Sequence, residues 1–406
     1  EKLLSDMELP LANVLAKMEM AGIKVSGGVL SEIGLENEKV IADLTAEIYE
    51  LAGETFNINS PKQLGVILFE KMQLPVIKKT KTGYSTAVDV LEQLAPQAPI
   101  VDKILKFRQI SKIQSTYVTG LLGEIMADGK IHTRYIQDLT QTGRLSSVQP
   151  NLQNIPVRLA EGRKIRKAFL PEKSESVLLS SDYSQIELRV LAHISGDEHL
   201  IAAFNDGADI HTATAMRVFG IEKPEDVTPN DRRNAKAVNF GVVYGISDFG
   251  LSNNLGITRK AAKTYIDTYF ERYPDIKKYM EDIVRSAKDK GYVETLYHRR
   301  RNLPEINARN FSVRSFAERT AINSPIQGSA ADILKVAMIN LDRALAAGGY
   351  QAKMLLQVHD EIVLDVPHDE LDAIKALVKT TMEEAIDLKV PLLVDENSGK
   401  TWYEAK

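Results

Sequence analysis

The chain has 406 residues, of which 44% are hydrophobic and 26% charged, with a formal net charge of −4 and no cysteine. That length exceeds one compact core, so two or three globular substructures are expected. Without cysteine there are no disulfides or thiolate metal sites, which fits a reducing, cytoplasmic setting.

No run of eighteen apolar residues occurs, so no membrane partner is expected. The opening Glu1-Lys2-Leu3-Leu4-Ser5-Asp6 lacks the basic and apolar regions of a signal peptide. Charge is unevenly spread: residues 76–116 carry seven Lys/Arg against three Asp/Glu, and residues 298–319 carry six Arg against two Glu. Residues 360–406 reverse this, with twelve acids against five lysines. Basic patches on an acidic body can hold phosphates, because screening leaves only nearby charges to act; a solvated face explains them as well.

In chain order, Leu11, Leu15 and Met18 recur at helical spacing before Gly22, a natural stop. Ser60-Pro61 reads as an N-cap with proline in the first turn, opening a helix through Leu64, Leu68 and Met72. Residues 75–85, with Lys78, Lys79, Lys81 and Gly83, read as a basic loop, and 99–126 as one long helix. A helical arm with a basic tip is compatible with clasping DNA. Turn signals at Thr142-Gly143 and Pro150-Asn151 mark 131–158 as irregular. Val177-Leu178-Leu179 predicts a buried strand ending near Asp182, after which helices are expected from Gln185 to about Leu345. Two β-rich runs within 352–366 meet at His359-Asp360 and predict a hairpin, followed by a helix over 367–388.

Several activities lose support. Gly399-Lys400-Thr401 resembles the end of a P-loop, but Val394 stands where its first glycine is needed. No G-x-G-x-x-G follows a strand, and none of the seven histidines forms H-E-x-x-H. ATPase, dehydrogenase and metalloprotease readings fall away.

The strongest local signal is TPNDRRNAKAVNFGVVYG, residues 228–245. Thr228 is a candidate N-cap, Pro229 suits the first turn, Asp231 completes a capping box, and Gly245 suits the exit. Arg232, Lys236, Phe240 and Tyr244 are four apart and share one stripe about 18 Å long. Two cations followed by two aromatics match a nucleoside triphosphate. The competing reading is a basic first turn leading into core aromatics, yet cations at a helix N-terminus oppose the dipole and call for an anion. The second signal, DYSQIELR (182–189), sits where the strand becomes a helix; the third, Val358-His359-Asp360-Glu361, sits at the hairpin turn. If the two strands share a sheet, these carboxylates can meet and hold two Mg²⁺ ions; singly, each is a cap or turn residue.

DYSQIELR, the R-x-x-x-K-x-x-x-F-x-x-x-Y-G helix and VHDE resemble, in order, motifs A, B and C of A-family DNA polymerases. TGRLSS (142–147) with PNLQN (150–154), DIHT (209–212) and NSPIQGSAAD (323–332) resemble further signatures of that family. The resemblance runs through essentially the whole chain and is to bacterial polymerases of the Bacillus–Lactobacillus kind. It implies an α+β right-hand polymerase fold with an antiparallel-sheet palm and largely helical fingers and thumb. Residues 1–140 would form the thumb with an N-terminal palm-associated segment, 141–195 and 315–406 the two parts of the palm, and 196–314 the fingers.

The resemblance also implies roles. Asp182, Asp360 and the Tyr183 carbonyl would ligate two Mg²⁺ ions, with Glu361 tuning the site. His211, Arg232 and Lys236 would hold the triphosphate, Lys236 also serving as the acid for the leaving group. Phe240, Tyr244 and Gln185 would contact the nucleotide, and Glu187 would block a ribose 2′-hydroxyl. Arg144 and Gln327 would read the minor groove, where acceptors are present whatever the base; Asn151, Gln153, Arg319, Asn323 and His359 would make other DNA contacts. The implied partners are primer–template DNA and dNTPs, with the protein acting as a monomer in the bacterial cytoplasm at the nucleoid. Family members usually carry nuclease domains upstream, so these residues are expected to be a fragment without proofreading. A hand-shaped binding module without catalysis and a single-subunit RNA polymerase are the alternatives; both aspartates argue against the first and Glu187 against the second.

Overall fold

The computed structural model describes residues 2–157 and 159–406. Arg158, the end of the expected irregular stretch, and Glu1, the start of the expected thumb, lie outside the described residues. The chain divides into two compact units, one drawn from 1–21, 134–148 and 175–398, the other from 22–133, 149–174 and 399–406.

The first unit is built around a four-stranded sheet. The elements that frame the site are α1 (Leu9–Ala21), β1 (Ser176–Tyr183), α2 (Ile186–Ser195), α3 (Ile210–Phe219), α4 (Pro229–Val243), α5 (Phe311–Ala347), β2 (Lys353–Val358), β3 (Glu361–Pro367), α6 (Leu371–Glu383) and β4 (Val394–Gly399). The sheet order is β2-β3-β1-β4. Strands β2 and β3 form the hairpin expected from the sequence, and β3 pairs antiparallel with β1. Leu178, Leu179, Ile362, Val363 and Leu364 are fully buried, so the centre of this sheet reads as a continuous apolar run covered on both faces. Leu11, Leu15 and Met18 of α1 join the same core, and Gly22 ends that helix with φ +61°.

The helical reading of 185–345 needs one correction. A two-stranded ribbon, Tyr292–Glu294 with Arg300–Asn302, interrupts it. Gly291, at φ +79°, stops the preceding helix, and Arg300 bridges across the ribbon to Glu294 at 3.0 Å while lying 4.0 Å from the Tyr292 ring centroid. The terminal helix is also shorter than 367–388, spanning Leu371–Glu383, and β4 follows it unannounced.

The second unit is mainly helical. Gly27–Ala52 is capped by the Ser26 hydroxyl and packs on the helical run 99–124, whose central turns, Ile113–Thr119, are wider than α. Ser60 caps Pro61–Gly65 as expected. Leu44, Ile48, Leu64, Leu68, Ile104 and Phe107 form its core. The basic loop 75–85 contains a minimal hairpin, Lys79–Thr80 with Gly83–Tyr84.

Candidate functional site

The sheet settles whether the two acidic motifs meet. Glu361 pairs in register with Asp182, and the Tyr183 amide donates to the Asp360 carbonyl at 3.2 Å. Asp182 ends one strand beside the hairpin tip that carries Asp360, and both side chains retain partial exposure. The turns flanking them are conformationally unusual: Gln185 and His359 each adopt φ +54°, a region that non-glycine residues seldom enter. Glu361 is 1% exposed and accepts from the Ser180 hydroxyl at 2.7 Å, so its carboxylate is fixed within the sheet.

Helix α4 begins as its sequence predicts. The Thr228 side chain accepts from the Asp231 amide while Asp231 bonds back to the Thr228 amide. At its far end Gly245, φ +63°, donates to Val242 and Ile246 to Gly241, a Schellman closure. Ala235, Val238 and Val242 turn inward. The opposite stripe faces solvent: Arg232, Lys236 and Tyr244 are exposed and Phe240 is half-buried. The core-aromatic reading of this helix therefore fails. Arg232 does find an anion. Its guanidinium grips Asp209 at 3.1 and 2.7 Å, and Asp209 also caps α3 through the Thr212 amide. Despite its partial burial, the arginine and these hydrogen bonds hold the Asp209 carboxyl well below the usual range. Reading DIHT only as a family signature missed this partnership; the signal was an N-cap acid and a basic first turn in need of charge.

His211 is enclosed, at 1% exposure, its Nδ1 3.0 Å from the Asn239 amide and its Nε2 3.4 Å from Gln185. Burial, reinforced by Arg232 and Lys236, lowers its pKa to about 4, so the imidazole is neutral at pH 7. Asn239, fully buried and also accepting from Thr214, went unnoticed in the sequence; a polar residue on the inward face of α4 was its trace.

Glu187 is 7% exposed on the first turn of α2. It accepts from Arg144 at 2.8 Å and from the Tyr244 hydroxyl at 3.4 Å, and Arg144 lies 4.0 Å from Asp360. Burial pushes the Glu187 carboxyl up and Arg144 pulls it back. Arg144, Gln185, Glu187, Phe240, Tyr244 and Asp360 together line a cleft of about 230 Å³. On α5, Arg319, Asn323 and Gln327 are spaced four apart. Asn323 donates to the Val243 carbonyl at 3.3 Å, and Arg319 packs where a side chain on Gly245 would project. Asn151 and Gln153 belong to the second unit, where the Asn151 side chain accepts from the Gln153 amide at 2.9 Å.

Asp182, Asp360 and the Tyr183 carbonyl, the expected ligands, would be an all-oxygen donor set of the kind Mg²⁺ takes when substrate phosphates and waters complete its shell. Among the described residues, no group of three or more His, Asp or Glu forms a ready-made cage. The same residues contain no helix long and apolar enough to cross a membrane.

The sequence model of DNA polymerase family A matches residues 28–404, and the chain belongs to that family. It is 79% identical over 406 residues to DNA polymerase I of Lactococcus lactis subsp. lactis and 59% identical over 407 residues to DNA polymerase I of Geobacillus stearothermophilus. In each case the whole chain is covered but only 46% of the relative, so it spans about half the length of these relatives. Among solved structures, the POL domain of Pol1 from M. smegmatis, in complex with DNA primer-template and dNTP, matches with a TM-score of 0.95 and 44% identity. That match covers all of this chain and 71% of the other. The α+β class of the right-hand polymerase type, expected from the sequence, is the fold of this chain.

Proposed function

We propose that the chain is a DNA-directed DNA polymerase that extends a primer by nucleotidyl transfer, and that two Mg²⁺ ions serve it. The observation that carries this reading is the meeting of the Asp182 strand end with the Asp360 hairpin tip, and the cleft that Asp360 shares with Phe240 and Tyr244 of α4. Asp182, Asp360 and the Tyr183 carbonyl would hold the metal ions, which when bound stabilise charge on the attacking and leaving oxygens. Arg232 and Lys236 bind the phosphates, and Lys236 donates a proton to the departing pyrophosphate. Phe240 and Tyr244 stack on sugar and base beside Gln185, and neutral His211 helps the two cations hold the triphosphate. Glu187 fills the space a 2′-hydroxyl would need, and Glu361 keeps the strand pair rigid.

Arg144 and Gln327 read minor-groove acceptors; Asn151, Gln153, Arg319, Asn323 and His359 contact the DNA strands. In this reading 1–140 is the thumb with an N-terminal palm-associated segment, 141–195 and 315–406 are the palm, and 196–314 the fingers. The protein acts as a monomer on primer–template DNA and dNTPs in the bacterial cytoplasm. Primer extension with dNTPs or rNTPs, with and without Mg²⁺, tests it. Metal-dependent extension with dNTPs alone is expected; extension with rNTPs at equal efficiency would refute it.

A further inference from the structure

The loop that carries Arg144 rests on a buried cluster of four charges. Arg299, in the turn of the 292–302 ribbon, donates through Nε to Asp332 at 2.8 Å and also pairs with Glu8. Lys335, one turn along α5, donates to the same Glu8 oxygen at 2.8 Å. The Thr295 hydroxyl donates to the other Asp332 oxygen at 2.7 Å. Asp332 is fully buried and Lys335 is 1% exposed. A buried network of this kind contributes little net stability over apolar residues of similar volume, because desolvation offsets the attraction. Its presence calls for a role other than cohesion.

The packing supplies one. Arg299 lies flat against Gly143, where a Cβ would fall 2.6 Å from its Nε, and Gly143 holds φ +83°. From the other side, a Cβ on Gly328 of α5 would come within 3.1 Å of the Thr142 carbonyl. The Thr142 carbonyl is thus held against α5 and Gly143 against Arg299, and Gly143 has no side chain with which to adjust. Arg144 follows directly, and its carbonyl accepts from the Thr140 hydroxyl at 2.6 Å. The backbone beneath Arg144 is fixed, while its long side chain reaches out to Glu187.

We propose that Arg299, locked by Asp332, Glu8 and Lys335, is a positioning residue that acts on nucleotide addition only through Arg144. This rests on the reading of the Arg144–Glu187–Asp360 cleft as the nucleotide site. The test compares four forms of the chain: unaltered, Arg144→Ala, Arg299→Lys and the double variant. Single-turnover dNTP addition, its half-saturating dNTP concentration and the thermal midpoint are measured for each. A displacement of about 1 Å at a reacting centre costs on the order of 10²-fold. Arg299→Lys is therefore expected to slow addition ten-fold or more when Arg144 is present, and less than two-fold when it is absent. The thermal midpoint should fall equally in both backgrounds. Glu8→Gln, which loosens Arg299 without altering the loop, should reproduce the pattern if Arg299→Lys folds poorly. Losses that multiply in the double variant, or no loss in Arg299→Lys alone, overturn the positioning role. If Arg144→Ala itself adds nucleotide normally, the reading of the cleft fails, and the proposal with it.

Discussion

Replacing Glu187 by alanine and by glutamine separates bulk from charge at the cleft. Glu187 is buried on the first turn of α2, and its two oxygens are engaged by Arg144 and Tyr244. Alanine removes both bulk and charge; glutamine keeps the bulk and one acceptor. If the side chain excludes a 2′-hydroxyl by occupying its space, Glu187→Ala should raise the rCTP to dCTP ratio of kcat/KM by at least the roughly 10²-fold that a merely apolar pocket achieves against an added hydroxyl. That corresponds to about 2.7 kcal/mol of lost discrimination, with each tenfold worth about 1.4 kcal/mol. Glu187→Gln should leave the ratio within a few-fold of the unaltered chain.

Stability should respond differently. Removing one partner of a fully buried ion pair costs about 3–5 kcal/mol. Arg144 retains 30% side-chain exposure and has Asp360 nearby, so the loss here should be nearer 1–2 kcal/mol. Both variants should lose that amount, because both abolish the charge. Competition assays on one template, with thermal melting alongside, supply both readings. An unchanged ratio in Glu187→Ala, together with lowered stability, would refute the gate and leave Glu187 as a first-turn acid favoured by the helix dipole.

Asp360→Asn should slow nucleotide addition by several orders of magnitude while primer–template binding persists, since metal clamping acts chiefly on the transition state; single-turnover rates and binding isotherms check this. Lys236→Ala should weaken dNTP binding and alter the pH–rate profile, and an unchanged profile would leave it a phosphate clamp alone. His211 should make stability sensitive to mild acid. Its folded pKa, about 4, lies below the ordinary 6.5 of an unfolded imidazole. Its contribution, up to roughly 3 kcal/mol, is therefore full above pH 6.5 and is lost as pH falls toward 4. Denaturation midpoints of the unaltered chain and His211→Asn across pH 7 to 4 should converge if this holds.

Much of the architecture was legible in the sequence because the relevant signals are local. The Thr228-Pro229-Asp231 cap, the Gly245 exit and the Ser60-Pro61 start each depend on residues within one or two turns. The β2–β3 hairpin was legible for the same reason. The ribbon at 292–302 was hidden because its arginine-rich second strand lacks apolar alternation and is stabilised by Glu294 and Tyr292 across the strand pair. Strand β4 was hidden because Asp395-Glu396-Asn397-Ser398-Gly399 reads as a turn, and only the edge of an existing sheet makes it a strand. At the site, spacing identified the stripe of α4 but could not give its orientation. It also could not show that Asp209, 23 residues before Arg232, would be its partner. Such pairings belong to tertiary structure, where burial and register decide.

The electrostatics of the first unit divide by exposure, and the division bears on how a site of this kind can both hold its shape and accept a charged substrate. Asp332 and Lys335 are almost wholly enclosed, so separating them from Arg299 and Glu8 would leave buried charge unpaired. That part of the network cannot rearrange cheaply, and it lies beneath the loop that carries Arg144. The Arg232–Asp209 pair has equally good geometry, but both side chains are 45% exposed. An exposed pair contributes about 0–1 kcal/mol, because water solvates either partner once it is released. If Arg232 binds phosphate as proposed, a triphosphate would take it from Asp209 at little cost, while Asp209 kept its cap on α3. Burial thus fixes the frame, and exposure leaves Arg232 able to exchange Asp209 for another anion.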